Sequence, residues 1–429
     1  MNVLVIGSGG REHAICRTFG KSSGVTRLFC ANGNAGVAQV AECVPIKPDD
    51  ILALADFATQ NAIDLTFVGG ETSLALGIVD EFESRGLRII GPCKEAAQLE
   101  ASKSFAKDFM ARHGVPTAKF TTSHSPAFAI LELESGDFGD ENSPVVVKAD
   151  GLAAGKGVVV AKNRAEAVAA INDMASLVGT AAAEKIVLEE CMFGREVSLL
   201  MFADGEDIAL MPPTRDHKRI GEGDTGPNTG GMGTITDASL LTTDELQTII
   251  DTMIRPTLHG CVREGFRFRG ILFLGIMMTA QGPKLLEYNV RFGDPETQAI
   301  LVRLETDLVD ICEAMLDGTL GSIDIKWKLG SSACVVLASE GYPSKPRTGD
   351  MISGLENVSN VEVFHSGTAL SEPPAGAGGS TQPQFITAGG RVLGVTATGD
   401  DLATALSTAY SAASKISFDG MQYRRDIGK

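Results

Sequence analysis

Positive charge is scarce in this chain. Its 429 residues include 37 lysines and arginines against 54 acidic residues, a formal charge of −17. That excludes a chain-wide cationic surface, and with it non-specific nucleic-acid binding as the main activity; a local pocket for a small anion survives. Long apolar runs are missing too. Stretches such as ACVVLAS stop far short of the ~18 residues a membrane span needs, so no membrane partner is expected. The N-terminus, MNVLVIGSGGREHA, has no basic segment ahead of its apolar residues and reads as strand and loop rather than signal peptide. The eight cysteines form no CxxC, and the six histidines show no HxxxH spacing. They suit core thiols of a reducing cytoplasm, where the protein is expected, and not a disulfide framework or zinc site.

Glycine is abundant instead, with 49 residues, and it clusters. The length suggests two to four domains. Strands alternate with helices up to about residue 100, the pattern of right-handed βαβ units and a parallel sheet. Ser102 caps the next helix, which Gly114 and Pro116 stop. Beyond it the chain turns β-rich. GILFLGIMMT and KLLEYNVRF form a hairpin across Gln281-Gly282, preceded by one long amphipathic helix. The stretch 370–384 is too rich in glycine and proline to build a core and is expected to be an exposed loop.

Five motifs carry the chemistry. GSGGREHA (7–14) brings a strand, a glycine turn and a helix N-terminus together, an arrangement that binds an anion through Gly9, Gly10, Arg11 and Glu12. It lacks the third glycine and the ribose-binding acid of a dinucleotide site; a plain tight turn is the alternative. VVVKADGLAAGKGVVVA (145–161) misses Walker A spacing and is followed by a strand. It suits a hairpin whose glycine tip closes over phosphates, with Lys148, Gly155, Lys156 and Gly157 at the ligand; two solvated lysines are the alternative. In IVLEECMFGREVS (186–198), Glu189, Glu190, Cys191 and Met192 make a strand-to-strand hinge able to read an adenine edge, and Glu196 can hold ribose hydroxyls. In KLLEYNVRFGDPETQ (284–298), period two puts Glu287, Asn289 and Arg291 on one face. A carboxylate beside an amide carbonyl suits Mg²⁺, and Arg291 can spread charge on a transferring phosphoryl group. PPTRDHKR (212–219) with GPNTGGMGT (226–234) suits a polar substrate, through Asp216, His217, Lys218, Asn228 and Gly231.

Taken in order with LEASKSFAKDF and a terminal YRRDIG, these motifs resemble the glycinamide ribonucleotide synthetase (phosphoribosylamine–glycine ligase) family of ATP-grasp enzymes, nearly end to end. The resemblance implies an α/β and α+β multidomain fold. It places an N-terminal parallel-sheet pre-ATP-grasp domain at 1–101, an ATP-grasp core at 102–122 and 190–326, an inserted lid at 123–189, and a small C-terminal α+β domain at 327–429. It implies Lys103 and Lys148 as nucleotide-phosphate ligands, Glu189 with Cys191 and Met192 as adenine hinge, and Glu196 on the ribose. Glu287 and Asn289 become the Mg²⁺ (or Mn²⁺) pair. The Gly9–Gly10 turn, Asp216, Lys218, Arg291 and Asp294 fall on the substrate side, the last two catalytic. ATP, glycine and 5-phosphoribosylamine are the implied ligands, a glycyl phosphate the implied intermediate, and a monomer the expected state. The rival readings are another purine-pathway ATP-grasp carboxylase or formyl transferase, a nicotinamide oxidoreductase, and a nucleotide-binding module without turnover. Gly70 stands where the family usually has proline, and Cys191 where a bulkier apolar residue is usual.

Overall fold

Val3–Ile6 are wholly buried, and they form the middle of a five-stranded parallel sheet. Its strands are β1 (Asn2–Gly7), β2 (Arg27–Asn32), β3 (Glu42–Val44), β4 (Leu65–Val68) and β5 (Ile89–Ile90), in the order β3-β2-β1-β4-β5. The strand order reverses between β1 and β4, and open α/β sheets bind ligands at the carboxyl ends of strands beside such a switch. The GSGG turn lies there. The computed structural model describes residues 1–151, 157–371 and 383–429. Gly155 and Lys156 of the glycine-rich tip, and most of the 370–384 stretch, lie outside the described residues.

A four-stranded antiparallel sheet follows, β6 (Phe120–Ser123), β7 (Val145–Ala149), β8 (Val158–Ala161) and β9 (Ile186–Glu190), in the order β6-β9-β7-β8. Helices Pro126–Glu134 and Arg164–Val178 pack on it through Ala129, Leu133, Ile171 and Met174, a core of its own.

The large sheet takes β10 (Arg195–Asp204), β11 (Ile208–Leu210), β12 (Thr214–Asp216), β15 (Gly233–Thr236), β16 (Arg269–Thr279), β17 (Gly282–Asn289), β18 (Ser331–Ala338), β19 (Glu362–His365) and β22 (Arg391–Gly399). Two small hairpins stand apart from it: β13 (Arg219–Gly221) with β14 (Thr225–Asn228), and β20 (Thr368–Leu370) with β21 (Phe385–Thr387). β15 pairs with β18, so residues on either side of 327 share one ladder. Leu4 and Ile6 belong to the same core as Leu272, Leu274 and Tyr288, which seats the parallel sheet against the β16–β17 hairpin. Ser102 caps helix Lys103–His113 by accepting from Phe105 N, and Gly114 ends it in the left-handed conformation. The long helix expected before the hairpin is a single run, Thr243–Ile249 and Arg255–Arg263, joined by a π turn at Ile250–Ile254. Pro256 has no N–H and crowds the carbonyl four residues back, and the wider turn absorbs it.

Candidate active site

The first motif works differently from the expectation. Gly9 N–H does not wait for a ligand; it donates to Glu12 Oε2 at 2.6 Å. A helix N-terminus attracts a carboxylate, and a glutamate at the third helical position reaches its own cap. Glu12 is 2% exposed, and a Cβ on Gly7 or Gly69 would collide with its carboxyl. Glu12 is thus corrected from ligand contact to internal cap. Arg11, held by Glu12 through Nε at 2.6 Å, carries the charge onward and donates to Phe292 O at 3.1 Å.

The hairpin turn is Ala280-Gln281, one residue earlier than read from the sequence, because Thr279 pairs with Gly282. A bulge at Leu286 lets Leu285 and Tyr288 both face inward three residues apart, leaving Glu287 and Asn289 on the other side. The strand ends at Asn289, so Arg291 is not on its ladder. Its guanidinium still returns to that face: Nη2 donates to Asn289 Oδ1 at 3.1 Å and pairs with Glu100 Oε1 at 2.7 Å, while Nε donates to Glu71 Oε2 at 3.1 Å. Burial lifts Glu71, but Arg291 and Arg11 outweigh it and hold the carboxyl at about 2. Burial wins at Glu100, which Arg291 only partly offsets, and it stands at about 6. Burial alone would raise Glu287 as well; Lys218, Lys148, Lys103 and Arg291 together hold it below its ordinary value.

Those lysines come from three places. Lys103, at the start of its helix, donates to Gly151 O at 2.9 Å. Asp150 bonds Ser102 and the N–H and hydroxyl of Ser104, which ties the root of the glycine-rich tip to the same helix. Gly157 closes the hairpin ladder, its carbonyl accepting from Ala149 N at 2.8 Å. Lys148 on β7 lies 2.7 Å from Glu189, and Lys218 lies 3.3 Å from Glu196. Glu190 is tied away from the hinge by Lys284 at 2.8 Å and by Lys119 N at 3.0 Å. Cys191 and Met192 are half-buried between β9 and β10, and Glu196 is exposed.

Asp216 is raised well above the carboxylate range by burial and by the charge of Glu296. Burial raises Glu296 too, against Arg291 and Lys218. His217 does not reach the site. Its Nε2 accepts from Gly428 N at 3.1 Å, its Nδ1 is 3.2 Å from Gly233 O, and burial lowers it to about 4. Both ring nitrogens serve the scaffold, so its expected substrate contact is corrected to a structural role. Asn228 is half-buried at the end of β14, opposite Arg219. Gly231 has φ +115°, and a side chain there would strike Pro295 and the Asp216 carboxylate. Asp294 accepts from Gln298 at 2.7 Å and pairs with Arg391 at 3.1 Å; burial raises it, and Arg391 and Arg11 bring it below its ordinary value.

Glu71, Glu100, Lys107 and Arg391 escaped the sequence reading. Glu71 follows a strand and two glycines, the one signal available; Arg391 lies 97 residues from the Asp294 it pairs with. The donor set suits a small hard cation held partly by other ligands, since Glu287 and Asn289 supply one carboxylate and one amide oxygen. Among the described residues no cluster of three His, Cys, Asp or Glu side chains offers a closed metal cage.

The family models for phosphoribosylglycinamide synthetase match in order: the N domain over residues 1–100, the ATP-grasp (A) domain over 101–297 and the C domain over 332–429. The chain is 46% identical to a phosphoribosylamine–glycine ligase of Xanthomonas campestris, across 100% of this chain and 97% of that protein. It is 42% identical to the ligase of that name from Caldanaerobacter subterraneus, across 100% and 99%. The crystal structure of the phosphoribosylamine–glycine ligase of Thermotoga maritima superposes with a TM-score of 0.83 at 32% identity, covering 99% of this chain and 100% of that one. A biotin carboxylase from Campylobacter jejuni shares the fold alone, with a TM-score of 0.70 at 17% identity.

Proposed function

The chain belongs to the phosphoribosylglycinamide synthetase family, and from that membership we infer that its site joins glycine to 5-phosphoribosylamine at the expense of ATP, giving glycinamide ribonucleotide, ADP and phosphate. The observation that carries the assignment of roles is the surround of Glu287, where Lys103, Lys148, Lys218 and Arg291 converge on one carboxylate. Three of them are paired elsewhere as well, Lys148 with Glu189, Lys218 with Glu196 and Arg291 with Glu71 and Glu100. Together the four bring to one place the donors that an ATP polyphosphate and a developing acyl phosphate both require. Lys103 and Lys148 face the nucleotide phosphates. Cys191 and Met192 present hinge backbone to the adenine, and Glu196 faces the ribose. Glu287 and Asn289 hold a divalent cation, Mg²⁺ or Mn²⁺, which supplies Lewis-acid charge to the phosphates when bound.

The glycine carboxylate attacks the γ-phosphorus and becomes glycyl phosphate, and the amine of phosphoribosylamine displaces phosphate from its carbonyl. Arg291, oriented by Glu71 and Glu100, spreads charge on the transferring group. Asp216, Lys218, Gly231 and Asp294 line the substrate side, with the Gly9–Gly10 turn and Arg11 from the parallel sheet. This reading keeps four segments, 1–101, 102–122 with 190–326, 123–189 and 327–429, as its units. ADP release with each substrate omitted in turn separates this ligase from a carboxylase or formyl transferase. Transfer of ¹⁸O from labelled glycine carboxylate into inorganic phosphate tests the acyl phosphate; phosphate free of label eliminates it.

A further inference from the structure

Lys107 has no part in the roles above. It lies one turn beyond Lys103 on the same helix and is 2% exposed. Its Nζ donates to Thr117 Oγ1 at 2.7 Å and stands 2.9 Å from Glu189 Oε2. The other oxygen of that carboxylate, Oε1, stands 2.7 Å from Nζ of Lys148. Glu189 is itself 1% exposed. One buried carboxylate is therefore shared by two buried ammonium groups.

The two lysines are held differently. Lys107 is built in: Thr117, which it bonds, donates in turn to Leu285 O at 2.6 Å. Lys148 is close to Glu189 Oε1, yet that oxygen has no aligned hydrogen bond among the described residues. Among the described residues, the other polar contact of Lys148 is a 3.4 Å approach to Leu286 O. Both lysines meet Glu189 as ion pairs, and the Thr117 bond is what fixes Lys107 in place. The charged groups facing Lys107 are Lys148 from β7, Glu189 from β9 and Glu287 from β17.

A lysine drawn towards phosphate gives its carboxylate less counter-charge, and a buried carboxylate left without one is strongly disfavoured. We propose that Lys107 is a positioning residue that keeps Glu189 neutralised while Lys148 turns to the nucleotide phosphates. The inference rests on the reading of Lys148 as a phosphate ligand. Without Lys107, Glu189 retains Lys148 as its sole close cation among the described residues, and nucleotide must compete for it.

The test titrates ATP with Mg²⁺ into the full chain, with no glycine or amine present, and follows binding by calorimetry. Lys107→Met raises the ATP dissociation constant on the order of tenfold, as loss of one member of a buried charge set commonly does, and Lys107→Arg stays near wild type. Lys107→Met/Glu189→Gln regains the affinity, because the trap for Lys148 is gone. In turnover, Lys107→Met raises KM for ATP and leaves KM for glycine in place. Glu189→Gln alone binds ATP more tightly than wild type, and it decides the matter should Lys107→Met not fold. A double variant as weak as Lys107→Met, or a looser Glu189→Gln, overturns the inference. Lys148→Met with unaltered ATP affinity overturns the phosphate assignment itself, and that result is distinguishable from the others.

Discussion

At Arg291 the surrounding acids matter as much as the arginine. Glu71 and Glu100 grip it from two sides with opposite shifts, and each shift has its own consequence for pH. Glu71 is depressed to about 2, so its contribution to stability is present above its ordinary 4.5 and is lost as pH falls towards 2. Glu100 is raised to about 6, so its charged form costs stability above pH 6 while its protonated form gives up the pair with Arg291 below it. The acid limb of kcat/KM is therefore expected near pH 6, and in Glu100→Gln that limb should disappear from the pH profile. Arg291→Ala should lower kcat on the order of a hundredfold, with a smaller change in ATP affinity, because the guanidinium is needed most as charge develops. A variant that lost only ATP affinity would move Arg291 from chemistry to binding.

Among the elements, the β13–β14 hairpin shows how a substrate loop is held from a distance. Arg424, 2% exposed, donates to Arg219 O at 3.1 Å and to Asp224 at 2.7 Å, and pairs through Nε and Nη2 with Asp426 at 2.8 Å. Gly223 N donates to the same Asp426, and Gly428 N to His217. The last residues of the chain thus clamp the segment that carries Lys218. Arg424→Met leaves the half-buried Asp426 without its cation and is expected to destabilise by roughly 1–2 kcal/mol, less than a fully buried broken pair costs. Measured KM for glycine or phosphoribosylamine should rise more than KM for ATP. Equal rises in all three would mean general loosening of the fold.

Across the whole molecule, cooperativity should follow the sheets. β15 and β18 share a ladder across residue 327, and one core joins the parallel sheet to the β16–β17 hairpin. The β6–β9 sheet has a separate core of small and medium side chains. In native-state hydrogen exchange, amides of β15 and β18 should lose protection together at the highest denaturant concentrations. Those of β7 and β9 should open earlier, as a unit of their own. Simultaneous exchange of all four strands would show that the smaller core has no independence.

The elements and the chemistry were legible in the sequence because both are local. Strand and helix periods, the Ser102 cap, and the neighbouring Glu287 and Asn289 all lie within a few residues of one another, and backbone geometry turns such spacing directly into a shared face. Tertiary structure alone decided the rest. His217 serves the chain end, Lys107 shares Glu189 with Lys148, and Arg391 meets Asp294. Sequence spacing is silent on these because each depends on which buried charge finds a partner across the fold. That choice is made by desolvation, which exists only once the elements have packed.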